Sequence, residues 1–319
     1  MTQEDYFSKL RTDFEGFYYQ KLWYKLATME AKRIKYLNLF WLLFFLLGVA
    51  FPLFIIWSCG AWLYLVFTEG SSKEIEGILK LIILIAAVII SIIGAPIVSY
   101  HSDIKSSIIK DFINFFGHFK HYFFKNIDDE IIKKSQLIGK FNRHNGDDYF
   151  CGTYKNVQMV ISEEELSMKH NKGESTVFKG VMIILDFPKK FNGQTVIFKD
   201  WGHFNFFHTT EKKLERIKLE DVLFEKEFEV YGTDQIEARY LLTAAFMERM
   251  LCVRDAFKGK KIQFSFFDNH LFIAINTSKN MFEPASLFKC TTDRRPINDV
   301  LEQFISVFSI VEFLKLTQQ

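Results

Sequence analysis

Two long stretches near the start of the chain carry no charged side chain, and they constrain the fold more than any other feature. The stretches are residues 37–67 and 81–100. About twenty helical residues reach ~30 Å, the thickness of a bilayer core, so each stretch can form a membrane span. The sequence therefore predicts a transmembrane hairpin over residues 36–102, with a short external loop at 69–80.

The second stretch gives the clearer membrane signal. Residues 81–100 contain twelve Leu, Ile and Val residues and no Lys, Arg, Asp or Glu. On an insertion scale these side chains favour a membrane-spanning helix by ~4 to 7 kcal/mol in sum. A buried helix of a soluble protein is the alternative, but such helices rarely run so long without a charge.

Lysine and arginine in the flanking segments predict the orientation of the hairpin. Seven Lys and Arg lie before residue 36 and four Lys lie at 103–125, whereas the loop has two Lys against three Glu. Because positive charge stays on the cytoplasmic side, both termini are expected there. We expect a multi-pass membrane protein with both ends in the cytoplasm, and both ends outside is the alternative.

Amphipathic segments flank the hairpin on both sides. Residues 1–35 predict an amphipathic helix with apolar side chains spaced three to five apart. Residues 103–140 predict a helical stalk, with the apolar pattern continuing to Phe123. We favour packing of the two helices as an antiparallel stalk. The alternative places the N-terminal helix on the membrane surface, with aromatic rings among the headgroups.

Residues 141–319 predict a cytosolic domain of the α+β class with a mostly antiparallel sheet and packing helices. A turn at Asp268-Asn269 pairs Phe266 with Leu271, Phe264 with Ile273 and Ile262 with Ile275, which brings all six side chains to one face. Further strands are expected at 149–154, 157–161, 176–187 and 194–199, and residues 201–211 read as a loop.

Helix signals flank that hairpin. Asp234 to Glu237 resembles a capping box, and Thr243 can cap the next helix. A last helix follows Pro296 with one apolar face. We expect this helix to lie across the sheet.

Composition and spacing exclude several function classes. The net charge of +2 is balanced over the domain and gives no electrostatic case for nucleic acid. The four cysteines are scattered without a CxxC pair. His118 with His121 on one helical face, and His203 with His208 in a loop, lack an acidic partner at a metal-site spacing. Glu163-Glu164-Glu165 reads as a solvated turn. We expect no metal and no cofactor.

Only one group of residues merits consideration for catalysis. Asp234, Glu237 and Arg239 lie close in sequence, and two carboxylates with an arginine can perform acid–base chemistry. Helix capping and a local ion pair explain the same residues with fewer assumptions. No P-loop, GxSxG or dinucleotide-binding glycine pattern accompanies them.

The stretch from Phe224 to Thr243, followed by Phe246-Met-Glu-Arg249, carries a family resemblance. Supporting features are Gly152-Thr-Tyr154, Val177-Phe-Lys-Gly180, Phe191-Asn-Gly193 and the hairpin at 262–275. With the two preceding spans, the chain resembles over residues 5–315 a bacterial membrane-protein family, the domain of unknown function 3137. The resemblance implies a protein of the bacterial inner membrane, with no known activity or site residues. It implies a LemA-like membrane protein as a candidate partner.

Two functions remain open. We expect a non-enzymatic, membrane-anchored protein whose cytosolic domain binds a partner protein or lipid, in addition to the bilayer itself. The alternative is a membrane-tethered enzyme that uses Asp234, Glu237 and Arg239. The oligomeric state cannot be inferred from the sequence.

A reporter fused after Gln319 tests the expected orientation. Because the positive flanks should stay in the cytosol, a reporter that works only there should be active, and one that needs the periplasm should be silent. A matched fusion within the loop at 69–80 should give the reverse pattern. Periplasmic activity after Gln319 would contradict the orientation.

Overall fold

The computed structural model describes residues 3–53, 56–57, 60, 64, 68, 72–171, 173–199, 214–257, 260–277 and 280–316. The chain divides into two compact units. One is a mixed helix-and-sheet unit of residues 1–14, 109–283 and 298–319. The other is a mainly helical unit of residues 15–108 and 284–297.

In the described ranges the α-helices have the following bounds: α1 Gln3–Phe17, α2 Trp23–Leu43, α3 Ser72–Phe116, α4 Asp129–Ser135, α5 Val222–Glu227, α6 Gln235–Leu241, α7 Ala244–Ala256 and α8 Arg294–Leu314. Wider π-helical turns follow α1 and α2, at Tyr18–Leu22 and Phe44–Ala50. The first of these turns links α1 directly to α2.

The N-terminal segment is helical and has one buried stripe. Phe14, Leu22 and Leu26 are fully buried, and Met29 is nearly so. The wider turn at Tyr18–Leu22 coincides with the longest step in the apolar spacing. A π-helical turn takes up an extra residue, so the stripe keeps its direction through this point.

Two helical stretches are long and apolar enough to cross a membrane: Tyr6–Leu53 and Leu79–Phe116. Of their most apolar 18-residue windows, 0% and 6% is buried. A core helix of a soluble protein would be mostly buried. Trp57 and Tyr64 are exposed, whereas Trp62 and residues 69–71 of the expected loop lie outside the described residues.

The described strands form one nine-stranded antiparallel sheet in the order β1-β2-β3-β4-β9-β8-β5-β7-β6. Their bounds are β1 His118–Phe123, β2 Arg143–Tyr154, β3 Val157–His170, β4 Gly173–Asp186, β5 Thr195–Lys199, β6 Glu215–Ile217, β7 Phe228–Gly232, β8 Ile262–Phe267 and β9 His270–Asn276. Helices and antiparallel sheet together confirm the predicted α+β class.

The β8–β9 hairpin has the predicted register. Phe264 pairs with Ile273, and the pairs two residues away on either side are those expected from the sequence. Asp268 and Asn269 have φ of 50° and 61°, which is the backbone of a type I′ turn. Lys155-Asn156 forms a similar turn between β2 and β3.

Strand alternation gives the sheet two apolar faces. We call one the helix-covered face; its central row is Phe150, Ile161, Ile183, Ile273, Phe264, Ile197 and Val230. We call the other the groove face; its neighbouring row is Cys151, Val160, Ile184, Phe272, Ser265, Val196 and Tyr231.

Helix α8 packs across the helix-covered face, as its apolar pattern predicts. The Phe304 ring lies 4.5 Å from Phe282 and 5.5 Å from Phe150, measured between ring centroids. Phe308 lies 4.6 Å from Tyr154 and 4.8 Å from Phe116. These rings form the centre of the core on this side of the sheet.

The helical stalk expected over residues 103–140 ends earlier than its apolar pattern suggests. α3 stops at Phe116, and His118–Phe123 is the edge strand β1 paired with β2. Phe119 and Phe123 therefore continue the apolar pattern as alternate residues of a strand. His118 and His121 consequently point to opposite faces of the sheet and do not share a helical face.

Glu163-Glu164-Glu165 is a second correction. These residues lie in the middle of β3, and Glu163 and Glu164 are 5% and 1% exposed. The expected solvated turn is wrong because β3 continues without a break from Ile161 to Leu166. Both carboxylates are thus buried, and on opposite faces of the sheet.

Removing the Phe304 ring should destabilise the helix-and-sheet unit. Phe304→Ala should cost about 3 to 5 kcal/mol of unfolding free energy, because the site lies between α8 and the sheet and cannot collapse fully. Chemical denaturation of the detergent-solubilised protein, followed by near-UV circular dichroism, measures the change. Phe124→Ala is the control, since that ring is 82% exposed; equal losses in the two variants would contradict the packing.

Candidate functional site

A groove of about 800 Å³ opens on the groove face of the sheet. The strands β2, β3 and β4 form its floor, and residues 125–134 form one side. We call it the sheet groove, and we call residues 125–134 the wall segment. Its volume lies in the range typical of ligand and peptide sites.

The floor of the sheet groove is an in-register apolar row. Cys151 pairs with Val160, and Val160 pairs with Ile184. Tyr149 lies two residues before Cys151, on the same face of β2, and is partly buried. All four side chains line the groove and retain some exposure. The row presents a flat apolar surface to any occupant.

The wall segment is anchored by its own apolar residues and by a helix cap. Ile127 and Ile132 are 3% and 0% exposed and belong to the core of the groove face. Asp128 caps α4 by accepting from the Glu130 amide at 2.9 Å. These anchors place Lys125, Ile131 and Lys134 along the groove.

Charged groups surround the groove. Its lining contains two lysines and four carboxylates, a formal net charge of −2 with His270 neutral. Lys134 pairs with Asp268, and His270 lies 3.1 Å from Asp186. Lys125 lies over the Tyr149 ring at 4.2 Å. The rim thus favours a cationic occupant over an anionic one.

A buried histidine ties the wall segment to the sheet. His144 Nδ1 lies 2.5 Å from Asp129 Oδ1, and His144 Nε2 lies 2.7 Å from Glu164 Oε2. Burial opposes a charge on His144, but hydrogen bonds to Glu164 and Asp129 outweigh it and raise its pKa. The second oxygen of Glu164 accepts from the Ile127 amide at 2.8 Å.

Sequence reasoning missed this histidine and its partner. The available signal was strand alternation: residues 162–165 lie between the apolar residues Ile161 and Leu166, so a continuous β3 would have buried Glu164. A buried carboxylate requires donors. His144, two strand positions before the β2 irregularity at residues 146–149, is one of them.

A further carboxylate cluster lies at that irregularity. Oxygens of Asp147, Asp148 and Glu163 lie within 4.8 Å of one another. Asp148 contacts His121 Nε2 at 2.7 Å, and both oxygens of Glu163 accept from the Met281 amide. Because the Asp148 and Glu163 carboxylates already have protein partners, we assign no metal to the cluster.

A second groove, of about 680 Å³, lies beside α8. Phe7, Phe257 and Phe313 supply apolar surface, and Arg11 spans one side with a bidentate pair to Glu302 at 2.7 and 2.8 Å. No aligned apolar row of three strands underlies it, so the sheet groove is the stronger candidate.

The three candidate catalytic residues each have a structural contact. Asp234 Oδ1 caps α6 by accepting from the amides of Ile236 and Glu237. Glu237 Oε1 accepts from the Asn192 amide at 2.9 Å. Arg239 Nη2 donates to the Lys218 carbonyl at 2.7 Å. None of the three lines the sheet groove as described.

The remaining sequence candidates are dispersed. His203 and His208 lie outside the described residues, as does the loop expected at 201–211. Cys151 lines the sheet groove, whereas Cys252 and Cys290 are exposed elsewhere. These positions form no common site among the described residues.

Comparison with known proteins supports the resemblance on part of the chain. Residues 176–316 match the model of the family described as a protein of unknown function (DUF3137). The predicted resemblance is confirmed. The matched DUF3137 region runs from β4 to the end of α8, so it includes Ile184 of the groove floor and the β8–β9 hairpin.

No curated protein matches the chain. One solved structure, the mycobacterial trehalose monomycolate transport factor A, TtfA, is similar over 63% of this chain and 91% of its own, with 11% identity and a TM-score of 0.36.

Substitution of Asp234 tests its role as the cap of α6. Asp234→Ala should lower the unfolding free energy by about 0.5 to 2 kcal/mol, because the first amides of α6 lose their acceptor. Asp234→Ser keeps an acceptor and should restore most of this loss. Denaturant midpoints of the three proteins give the comparison. An alanine variant as stable as the wild type would contradict the capping role.

Proposed function

We propose that this protein is a membrane-anchored binding protein whose helix-and-sheet unit holds a segment of a partner protein in the sheet groove. The partner segment carries apolar side chains flanked by Lys or Arg. The observation that carries the proposal is the aligned row of Cys151, Val160 and Ile184 in a groove with excess carboxylates.

Exposed apolar helices support the membrane anchor. In both candidate spans the most apolar window contains almost no buried residue. Leaving that surface in water is unfavourable by about 25 cal/mol per Å² of apolar area, so a bilayer is the partner that these helices require. Lysine and arginine counts support a multi-pass protein with both termini in the cytoplasm, and the family resemblance supports the inner membrane of a bacterium.

The chemistry of the rim favours a polypeptide over a lipid or a nucleic acid. Carboxylates outnumber lysines around the groove, and an anionic headgroup or phosphate would be repelled. Mixed charges around an apolar centre are typical of protein–protein interfaces. A LemA-like membrane protein is the partner that the family resemblance proposes.

The enzyme alternative has less support. Asp234, Glu237 and Arg239 each hold a backbone group in place, and catalysis would need at least one of them free at a pocket. The floor row of the sheet groove has no carboxylate, lysine or histidine, and the Asp186–His270 pair lies at its rim. Binding is therefore the function that the site supports better.

Site-specific crosslinking tests the proposal. A photoreactive amino acid at position 160 of the full-length protein, in its native membrane, should capture a polypeptide. The crosslinked peptide should contain an apolar run with Lys or Arg beside it. The control position is Ser306, which lines the second groove. Capture of lipid alone at position 160, or equal capture at both positions, would contradict the proposal.

A charge placed in the groove floor should abolish this binding. Val160→Lys projects a cation into the site where the basic partner segment lies, and it should lower the affinity at least tenfold, a cost of about 1.4 kcal/mol. The matched control is Ser175→Lys at an exposed position of β4. Titration of the crosslinked segment, as a synthetic peptide, measures both affinities; unchanged binding by Val160→Lys would exclude the groove.

A further inference from the structure

The contacts of His144 require a proton on each ring nitrogen. Asp129 contacts Nδ1 and Glu164 contacts Nε2, at 2.5 and 2.7 Å. An ionised carboxylate only accepts hydrogen bonds, and a neutral imidazole has a single N–H to donate. With both carboxylates ionised, both contacts are satisfied at the same time only by the imidazolium form of His144. We call these three side chains the His144 bridge.

The His144 bridge connects three elements. Asp129 is the first residue of α4, His144 lies on β2 and Glu164 lies on β3. Glu164 Oε1 also accepts from the Ile127 amide, and Asn126 Nδ2 donates to the His144 carbonyl at 3.3 Å. Asn126, Ile127 and Asp129 of the wall segment therefore each form a hydrogen bond with His144 or Glu164.

We infer that the His144 bridge is a proton-controlled attachment of the wall segment, which holds this side of the sheet groove in place when His144 is protonated and loosens it when the proton is lost. The regulatory role rests on the proposed function of the groove. The attachment itself is a property of the unoccupied protein.

The surroundings of His144 fix the sign of the effect. The side chains of His144 and Glu164 are 9% and 0% exposed, and Asp129 is half exposed with Lys133 at 3.9 Å. The Phe141 ring packs against the imidazole without adding charge. The two carboxylates are thus the charged groups that face His144 in the described structure, and their hydrogen bonds raise its pKa against the opposing effect of burial.

Because the pKa of His144 is raised in the folded protein, protonation of His144 stabilises the folded state. The stabilising effect is complete below the unfolded value of about 6.5 and is lost as pH rises through the folded value. Each unit by which the pKa rises corresponds to a factor of about ten in the equilibrium between the attached and the loosened wall segment. Above that range one carboxylate faces a ring nitrogen with no proton, and the contact becomes repulsive.

Other contacts keep the loosening local. Ile132 and Leu137 stay in the core of the groove face, and Lys134 pairs with Asp268 at the far end of the wall segment. Gln136 donates to Gln194 at 2.7 Å. Loss of the His144 bridge therefore releases the start of the wall segment without unfolding the sheet.

Hydrogen exchange on the full-length protein in detergent tests the attachment. The Ile127 amide is the reporter because it donates directly to Glu164. Between about pH 6 and about pH 8.5, its protection, corrected for intrinsic exchange, should fall several-fold in the wild type. In His144→Gln it should be low and independent of pH, because glutamine cannot donate to both carboxylates as the imidazolium does. His170→Gln, at an exposed strand end, is the matched control and should resemble the wild type.

Asp129→Asn provides a second variant at a half-exposed position. Removing one of the two charges that stabilise the imidazolium should move the loss of protection to lower pH while the protein stays folded. Wild-type protection that does not change with pH, or an unshifted midpoint in Asp129→Asn, would overturn the attachment.

Crosslinking at position 160 separates the attachment from the proposed binding role. If protection and capture of the partner change over the same pH range, regulation of the groove is supported. If protection changes and capture does not, the regulatory inference fails. If nothing is captured at any pH, the proposed function fails, and the exchange result alone decides the attachment.

Discussion

Packing of α8 against the central row of the sheet is the interaction on which the helix-and-sheet unit depends. Phe304 contacts Phe150 of β2, Phe282 after β9 and Phe116 at the end of α3. One ring thus joins segments that are separated by more than 180 residues in sequence. Because this face is closed by aromatic packing, the opposite face is the one on which a groove with exposed apolar side chains can form.

Sequence patterns correctly predicted the features that depend only on residues close together in the sequence. The β8–β9 hairpin followed from alternation and from two residues that tolerate positive φ, and the caps at Asp234 and Thr243 followed from residue type and spacing. Each of these features is decided within about ten residues, so tertiary contacts had little to override.

The failures occurred where tertiary contacts override local pattern. Phe119 and Phe123 fit the helical spacing that precedes them, yet pairing with β2 makes them strand residues. Three consecutive glutamates suggested a turn, but donors from His144, Ile127 and Met281 allow two of them to be buried. Those donors lie up to 118 residues away in sequence, and no window of the sequence brings them together. The sheet groove depends on the same long-range contacts, so the site could not be predicted.

The order of the strands has a consequence for how this protein is made. β4 and β5 follow each other in sequence but are not neighbours in the sheet, because the β8–β9 hairpin lies between them. During synthesis the growing chain therefore holds two unfinished sheets, each with an open edge, until residue 276 has emerged from the ribosome. Such edges bind other strands readily. The β8–β9 hairpin therefore completes the sheet, and the edges of β4 and β5 stay open to other strands until residues 262–276 are available.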